Sequence, residues 1–422
     1  MHVKLENKLL NLSKILLIMM PFFLITGPLL SEISILVISL SFLYISIKNN
    51  NYFYFSNIFF KFFFIFYTYL LFNSIINYYN YEIFLKSFSY IRFGIFFCGV
   101  FFLFDKDKSL AIKIFISAII CFTILIIDGY YQYFFDNNIF GYKVSDIGRV
   151  SSFFGEELIL GSYISRLYPI IFGLFLISPI KNKFFFFILF AIIFILSEAL
   201  VFLSGDRSAF FYINLSAIFT ILLIKKYKFF RFIVLISSIF IIVIISVFNE
   251  NAKNRIINKT LNQTGLNNIF SDNKNKEQIY LFSKEHNDHY LSAYKMFEKN
   301  KIIGIGPRNF RNYCNEEPYK VSNLSCSTHP HNTYVQILSE LGLIGFTFII
   351  LIFLIFLIYT YKHLYLSFKG KILFSDFQIC IISAMLISIW PFIPTGNFFN
   401  NWLSIIYYFP IGIFLWSRKN NI

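Results

Sequence analysis

Residues 326–346, CSTHPHNTYVQILSELGLIGF, close the only long polar segment of the chain and open a long apolar run. Within them, residues 333–336 read TYVQ, which has the S/T-x-x-Q form of a capping box. This pattern predicts a helix that begins with Thr333 as its N-cap, with the side chain of Gln336 reaching back to the cap.

The helix predicted from this box carries Leu338, Gly342 and Gly345 at helical spacing. Small residues on one face of a membrane helix let a second helix approach closely, so the two glycines are expected to be structural. His331 is placed just outside the helix N-terminus, at a membrane surface. Anionic groups such as phosphate are favoured at such a position.

Composition places the whole chain in a membrane. Of the 422 residues, 57% are hydrophobic and only 14% are charged. Many apolar runs exceed the roughly 18 residues that mark a membrane span, so the expected fold is an all-α integral membrane protein. The spans are predicted near residues 14–30, 33–47, 58–77, 83–104, 109–128, 157–178, 184–203, 208–224, 230–248, 334–360, 373–393 and 400–416.

The distribution of the +15 formal charge predicts the topology. Lys and Arg concentrate in alternate connections between spans, which is the positive-inside pattern and argues against a nucleic-acid surface. Both termini are therefore expected in the cytoplasm. Residues 1–248 would hold nine spans with a short outer segment near 129–157, residues 249–333 the large outer loop, and residues 334–422 the last three spans.

The cysteines fall into two groups. Cys98, Cys121 and Cys380 lie within predicted spans and are expected to act as small buried hydrophobes. Cys314 and Cys326 share the long loop, where a disulfide would suit an oxidising compartment. The sequence leaves that bond open.

Some arginines lie at or beyond the outer surface, against the positive-inside tendency, and among them are Arg149, Arg207, Arg308 and Arg311. A guanidinium binds phosphate oxygens in a bidentate manner, so Arg207, at the mouth of the eighth span, is a candidate phosphate ligand. Arg308 and Arg311 would close the same anionic site from the loop. The alternatives are an ion pair of Arg207 with Asp206, and solvated loop charges.

Arg166 differs because it lies inside the sixth predicted span, near the outer end. An arginine there costs on the order of 2–3 kcal/mol by insertion scales, so it is expected to face a partner or a polar cavity. Glu156 or Glu157 is the expected partner for a helix-end salt bridge, and the alternative is a role in substrate binding.

Four of the six histidines lie in the long loop: His286, His289, His329 and His331. Their H-x-x-H and H-x-H spacings match no common zinc motif, so neither a metal nor a cofactor is predicted. Imidazole titrates near neutral pH, and a nearby helix N-terminus favours its neutral form. His331 is therefore the candidate general base, with a surface histidine beside a helix cap as the alternative and His329 as a neighbour.

The chain resembles the O-antigen ligase and polymerase family of bacterial envelope glycan assembly. The recurring motif of that family is His, then Asn, Ser or Gln, nine residues, Gly, two residues and a small residue. His331-Asn332, residues 333–341, Gly342, residues 343–344 and Gly345 satisfy it, at the end of the large outer loop.

This resemblance implies a metal-independent glycosyltransferase of the GT-C type in the inner membrane. The donor would be a glycan on undecaprenyl pyrophosphate, and membrane lipids would surround the site. His331 would deprotonate the acceptor hydroxyl and Arg207 would hold the pyrophosphate. Where some members have an arginine before the GxG turn this chain has His289, so the second phosphate contact is not assigned.

Three functions remain open at this level. A ligase would use the sugar of a lipid A–core as acceptor, and a polymerase would join lipid-linked repeat units. A polytopic transporter is the non-enzyme alternative, but ionisable residues near the bilayer midplane and inverted repeats would then be expected. Here the polar residues cluster at the outer face.

Overall fold

The computed structural model describes residues 2–145, 148–263, 280 and 282–422. Helices dominate these residues, and they form no β-strand beyond an isolated bridge between Asn137 and Lys143. The main helices are α1 His2–Phe23, α2 Pro28–Lys48, α3 Ile58–Ile76, α4 Tyr81–Phe88, α5 Ile91–Lys106, α6 Leu110–Phe135, α7 Leu160–Ile177, α8 Lys183–Leu203, α9 Arg207–Leu223, α10 Lys228–Phe248, α11 Lys284–Lys299, α12 Thr333–Phe368, α13 Asp376–Ser388 and α14 Asn401–Lys419.

The described residues also include shorter helical segments between these helices: Phe53–Phe55, Ser152–Phe154, Glu250–Lys253, Asn254–Asn258, Lys259–Gln263 and Phe310–Tyr313. Because lipid offers no hydrogen-bond partners, a chain this apolar must satisfy its backbone within helices wherever it crosses the bilayer.

Every predicted span overlaps one of the main helices, and α4 and α5 together cover the fourth. Within the described residues, eight helices or helix pairs are long and apolar enough to cross a membrane. Arg207–Leu223 and Asp376–Ser388 are apolar but shorter. A multi-pass membrane protein is thus confirmed, while the number twelve and the GT-C arrangement stay predictions.

Helix α7 lies at the centre of the bundle. It is buried along nearly all of its length and packs against α9 and α13. Helix α10, in contrast, buries only a narrow stripe and exposes Phe232, Phe240 and Val243, as expected for a helix that faces lipid.

The helix that opens the last part of the chain is broken at Gly342. Its φ of 63° and ψ of −163° interrupt α12, so Gly342 does not lie on a continuous helix face. A Cβ at Gly342 would lie 2.3 Å from the carbonyl oxygen of Ile302, and a Cβ at Gly304 would lie 2.5 Å from that of Glu340. The expectation that a second helix approaches at Gly342 is wrong, because a loop crosses there instead, while the role of Gly345 stays a prediction.

Backbone groups freed by this break find partners in the crossing loop. Ile305 N–H donates to the Ser339 carbonyl at 3.1 Å, and Gly306 N–H donates to that of Glu340 at 2.9 Å. In return, Leu343 N–H donates to the Lys301 carbonyl at 2.8 Å. Residues 301–306 are thereby fixed to α12 by hydrogen bonds in both directions, which is how a broken helix is kept from leaving buried groups unpaired.

Asn332, not Thr333, caps α12. Its side-chain oxygen accepts from the N–H groups of Tyr334 and Val335 at 2.9 and 3.1 Å. Gln336 is fully buried, and its amide nitrogen donates to the Asn397 side chain at 2.9 Å instead of reaching back to the cap. The predicted capping box is therefore wrong, although the helix begins at the predicted place.

Helix α11 is a short amphipathic helix within the outer loop. Ala293 and Met296 pack with Ile305, Phe310 and Cys314 in a small core separate from that of the membrane helices. Tyr294 is exposed. Because α11 contacts α12 and contributes to this core, residues 283–332 of the loop pack against the membrane helices and each other.

Cys314 and Cys326 form a disulfide, which answers the question that the sequence left open. The other three cysteines are buried and free, as predicted. The bond holds the residues after Arg311 next to the segment that leads to His331.

Candidate functional site

A cavity of about 1630 Å³ collects most of the candidate residues. Its walls come from the α1–α2 connection, the segment near residue 150, α7, α9, the outer loop and residues 393–403. The ionisable side chains that line it within the described part of the chain are Arg149, Arg166, Arg207, Arg255, Arg308, Arg311, Glu157, Asp206, His286, His329 and His331. Arginines far outnumber carboxylates, so the cavity has a positive potential suited to an anionic ligand.

His331 lies where three other histidine rings converge. Its ring centroid is 4.2 Å from that of His329, 5.3 Å from that of His289 and 5.4 Å from that of His286. His331 has a φ of +56°, a left-handed conformation that is uncommon for residues other than glycine. Such conformations cost on the order of 1–3 kcal/mol and persist only where the surroundings hold them.

Hydrogen bonds with Thr395 hold His331 and the neighbouring residues in this conformation. Its N–H donates to the carbonyl oxygen of His331 at 2.8 Å, and its hydroxyl accepts from Thr333 N–H at 2.8 Å. The carbonyl oxygen of Thr395 contacts Nε2 of His329 at 3.2 Å. One residue between α13 and α14 therefore fixes both histidines and the first residue of α12.

The role of the buried Thr395 hydroxyl can be tested by substitution. We expect Thr395→Val to reduce any activity that depends on His331 by about tenfold or more, since the buried Thr333 N–H would lose its acceptor at a cost of about 1–3 kcal/mol. Valine retains the shape and both backbone hydrogen bonds. The measurement is the initial rate of the His331-dependent activity in membranes, normalised to the amount of protein.

The matched control for this change is Thr347→Val. Thr347 is an exposed residue of α12, and its hydroxyl forms a hydrogen bond only within that helix. Equal rates for Thr395→Val and the wild type would show that the hydroxyl does not position the turn.

The histidine cluster favours neutral imidazoles. Burial, followed by the charge of His289, lowers the pKa of His331 to about 4. Burial likewise lowers the pKa of His286 to about 4 and that of His329 to about 3. The sequence predicted that His331 is neutral because a helix N-terminus is close. In the structure, burial is the main reason for the neutral form.

These shifts predict an acid-sensitive fold. Unfolded histidines titrate near pH 6.5, so between about pH 6.5 and 4 the unfolded chain binds more protons than the native one, and stability falls as the pH falls. The thermal unfolding midpoint in detergent should be constant above pH 7 and decrease through this window. His286→Asn should flatten the decrease, and a midpoint that is equal at pH 7.5 and 5 would contradict the assignment.

Three arginines surround the turn before α9. Arg149 Nε donates to the Ser204 carbonyl at 2.6 Å, and Arg255 Nε donates to that of Gly205 at 2.8 Å. Arg207 is the first residue of α9, and the charges of Arg255 and Asp206 act on it. Asp206 is the N-cap, accepting from Ala209 N–H at 3.1 Å. Backbone carbonyls thus orient two guanidinium groups while one carboxylate offsets part of their charge.

Arg166 has partners other than those predicted. Its Nε donates to the Ser162 hydroxyl at 3.1 Å and its Nη1 to the Ser388 carbonyl at 3.2 Å. The guanidinium lies 4.7 Å from the ring centroid of Tyr212. The predicted salt bridge with Glu156 or Glu157 is therefore wrong, because the serine and carbonyl oxygens of the packed helices, with the face of Tyr212, satisfy this buried cation.

Arg308 and Arg311 line the cavity from the outer loop. The N–H of Arg308 donates to a carboxylate oxygen of Glu340 at 2.9 Å, and its guanidinium bonds the carbonyl of Phe399. Burial lowers the pKa of Arg308 to about 10, so its guanidinium stays charged at neutral pH. These arginines face the cavity through a different wall from the turn before α9.

His289 does not line the cavity but lies behind His331, with the two rings inclined by only 28°. Its Nδ1 is buried without a hydrogen bond to the described residues. No three His, Cys, Asp or Glu side chains in the described ranges are placed to hold a metal ion. The ring of His331 contacts those of the other three histidines, edge-on with His286 and nearly parallel with His289.

Three residues of the site were not identified from the sequence: Arg255, His286 and Thr395. Arg255 lies in the Asn-rich part of the loop, where no periodicity separates it from solvated charges. The Ser283 hydroxyl, which also caps α11, bonds Nδ1 of His286 at 2.6 Å. The polar stretch PTGN at 394–397, between two apolar segments, was the available signal for Thr395.

Comparison with known proteins gives a family for one part of the chain. No curated protein matches the chain. Residues 189–350 match the family model described as O-antigen ligase, and they include α9, the described loop helices and the His331 motif. The resemblance read from the sequence is thus confirmed: this multi-pass membrane protein carries, at residues 189–350, a domain of the O-antigen ligase family.

Proposed function

We propose that the chain transfers a glycan from undecaprenyl pyrophosphate to an acceptor sugar hydroxyl at the periplasmic face of the inner membrane. The acceptor is a lipid A–core, as in an O-antigen ligase. The observation that carries this proposal is the single cavity in which the imidazole of His331 and the arginines around the α9 turn lie together.

In this reaction, the acceptor oxygen attacks the anomeric carbon of the donor sugar and its proton passes to His331. The bond between that carbon and the phosphate oxygen breaks, and the electron pair leaves with the pyrophosphate. Preorganised guanidinium groups stabilise such developing charge strongly in a partly desolvated site. Arg149, Arg207 and Arg255 are assigned this role, which lets the reaction proceed without a metal.

The low pKa of His331 fits this sequence of events. An imidazole with a pKa of about 4 is neutral at pH 7 and ready to accept a proton. Bound pyrophosphate adds negative charge to the cavity, which raises the pKa of a nearby imidazole. The base therefore becomes stronger when the donor is in place, at the moment when a proton must be taken up.

The topology inferred from the charges supports the same compartment. With both termini in the cytoplasm, the loop at 249–333 and the cavity face the periplasm, where the donor is displayed. Cys314 and Cys326 are bonded, which suits that compartment.

A deletion strain tests the proposal and separates it from its alternatives. Core without any repeat unit, with polymerised lipid-linked donor accumulating in the periplasm, supports the ligase. Core with one repeat unit would instead identify a polymerase. Precursor retained on the cytoplasmic face would indicate transport, and unchanged surface glycan would contradict all three.

The donor contact can be tested at Arg207. We expect Arg207→Lys to reduce transfer at least tenfold, because a lysine keeps the charge but loses the bidentate contact with phosphate oxygens. The measurement is transfer from extracted lipid-linked donor by purified protein. Arg418→Lys, at the cytoplasmic end of α14, is the control, and wild-type activity of Arg207→Lys would remove Arg207 from the site.

A further inference from the structure

Apart from Arg166, the arginines that line the cavity within the described residues form two groups. The first, here called the turn group, consists of Arg149, Arg207 and Arg255 around residues 204–206. The second, the loop group, consists of Arg308 and Arg311. The sequence predicted that Arg308 and Arg311 complete the site of Arg207. The two groups instead lie on different walls of the cavity.

The loop group is anchored to a different wall. A carboxylate oxygen of Glu340 in α12 accepts from the Arg308 N–H, and its second oxygen accepts from the Phe310 N–H at 3.1 Å. The Arg308 guanidinium bonds the Phe399 carbonyl and lies 5.8 Å from the ring centroid of that residue. Neither anchor contacts the turn before α9.

Each of the two groups has a histidine ring near it. The charge of Arg207 acts on His286, and that of Arg311 acts on His329. Between these two histidines lies His331, in ring contact with both. His331 is thus in ring contact with one histidine that neighbours the turn group and with another that neighbours the loop group.

Charge at the loop group remains available to a ligand. The neighbouring Arg92 is paired with Glu32 at 3.1 Å, so that cation is offset locally. The guanidinium of Arg311, on an exposed residue, forms no hydrogen bond or ion pair with the described residues, and it lines the cavity. The carboxylate of Glu340 is fully buried and is occupied by the two loop N–H groups and by Gln336.

We propose that Arg308 and Arg311 form a second anion-binding site, which takes a phosphate or carboxylate group of the acceptor glycolipid. This proposal rests on the proposed function and assigns its acceptor side. The donor pyrophosphate on the turn group and the acceptor anion on the loop group would then place the acceptor hydroxyl beside His331.

The first test counts anion sites without requiring activity. Inorganic pyrophosphate is titrated calorimetrically into the full chain in lipid nanodiscs at low salt. Two sites are expected for the wild type. Arg311→Gln should weaken one of them about tenfold, and Arg255→Gln should weaken the other. A single site in the wild type, weakened by either change, would overturn the proposal.

The second test measures transfer with extracted donor and acceptor. Arg311→Gln should raise the KM for the acceptor about tenfold without changing that for the donor, while Arg255→Gln should do the reverse. Lys301→Gln is the control, because Lys301 is an exposed cation of the same loop that does not line the cavity. An unchanged acceptor KM in Arg311→Gln would overturn the second site.

Modified acceptors identify the anion. Phosphatase-treated acceptor should raise the wild-type KM by the same factor as Arg311→Gln if the group is a phosphate, and carboxyl-reduced acceptor should do so if it is a carboxylate. If neither treatment changes the KM, the proposal fails while the proposed function stands. If the wild type binds two pyrophosphates but transfers no glycan, the proposed function fails while the second site stands.

Discussion

Replacing His331 with asparagine is expected to abolish measurable glycan transfer, with a loss of about 10²- to 10⁴-fold for a general base. Asparagine is the sharper replacement because it tolerates the left-handed conformation that His331 adopts at φ +56°. Alanine would remove the base as well, but it would also strain the turn. Transfer by purified protein and surface glycan in complemented cells are the two measurements.

The neighbouring histidine provides the control. His286 lines the same cavity, but its Nδ1 bonds the Ser283 hydroxyl at the start of α11, whereas no described residue hydrogen-bonds the ring of His331. His286→Asn should therefore retain most of the transfer rate. Wild-type transfer by His331→Asn would remove the base from this position, and a complete loss in His286→Asn alone would move the role to His286.

Sequence reasoning located the central histidine because its signals are local. The polar-to-apolar junction, the His-Asn pair and the two glycines lie within residues 326–346. The outward arginines could be recognised by their type and position alone, since arginine at the outer face opposes the positive-inside tendency. The arginines chosen from the sequence do line the cavity: Arg149, Arg166, Arg207, Arg308 and Arg311. Their roles stay proposals.

Contacts between distant segments could not be predicted in this way. Thr395 reaches the His331 turn across 64 positions of the chain, and no periodicity links them. The grouping of arginines also depends on which walls the chain brings together, so Arg308 and Arg311 were assigned to the site of Arg207.

The cap of α12 illustrates a local competition. Asn332 and Thr333 can both cap, and Asn332 prevails because the Thr333 hydroxyl pairs with Thr395 at 2.8 Å.

The glycine at the break in α12 is expected to be as sensitive as the base. Gly342→Ala should abolish transfer and lower the thermal stability of the protein, because the new Cβ would lie 2.3 Å from the Ile302 carbonyl oxygen and 2.4 Å from its carbon. Both are backbone atoms, so no side-chain rotation relieves the contact. The loop would have to separate from α12, which breaks the bonds that hold residues 301–306 and, through them, Arg308.

Gly370→Ala separates this clash from backbone strain. Gly370 has a φ of +72°, close to the 63° of Gly342, but a Cβ there meets no atom within 4 Å. Gly370→Ala measures the cost of an alanine at positive φ without a contact, of order 1 kcal/mol. Gly342, with a ψ of −163°, lies in a region that almost only glycine adopts, so Gly342→Ala adds this further strain to the contact with the loop. Gly370→Ala should transfer glycan nearly as well as the wild type. Equal behaviour of the two variants in thermal unfolding and in transfer would mean that the loop does not need the break in α12, and that the motif glycine acts through its backbone conformation alone.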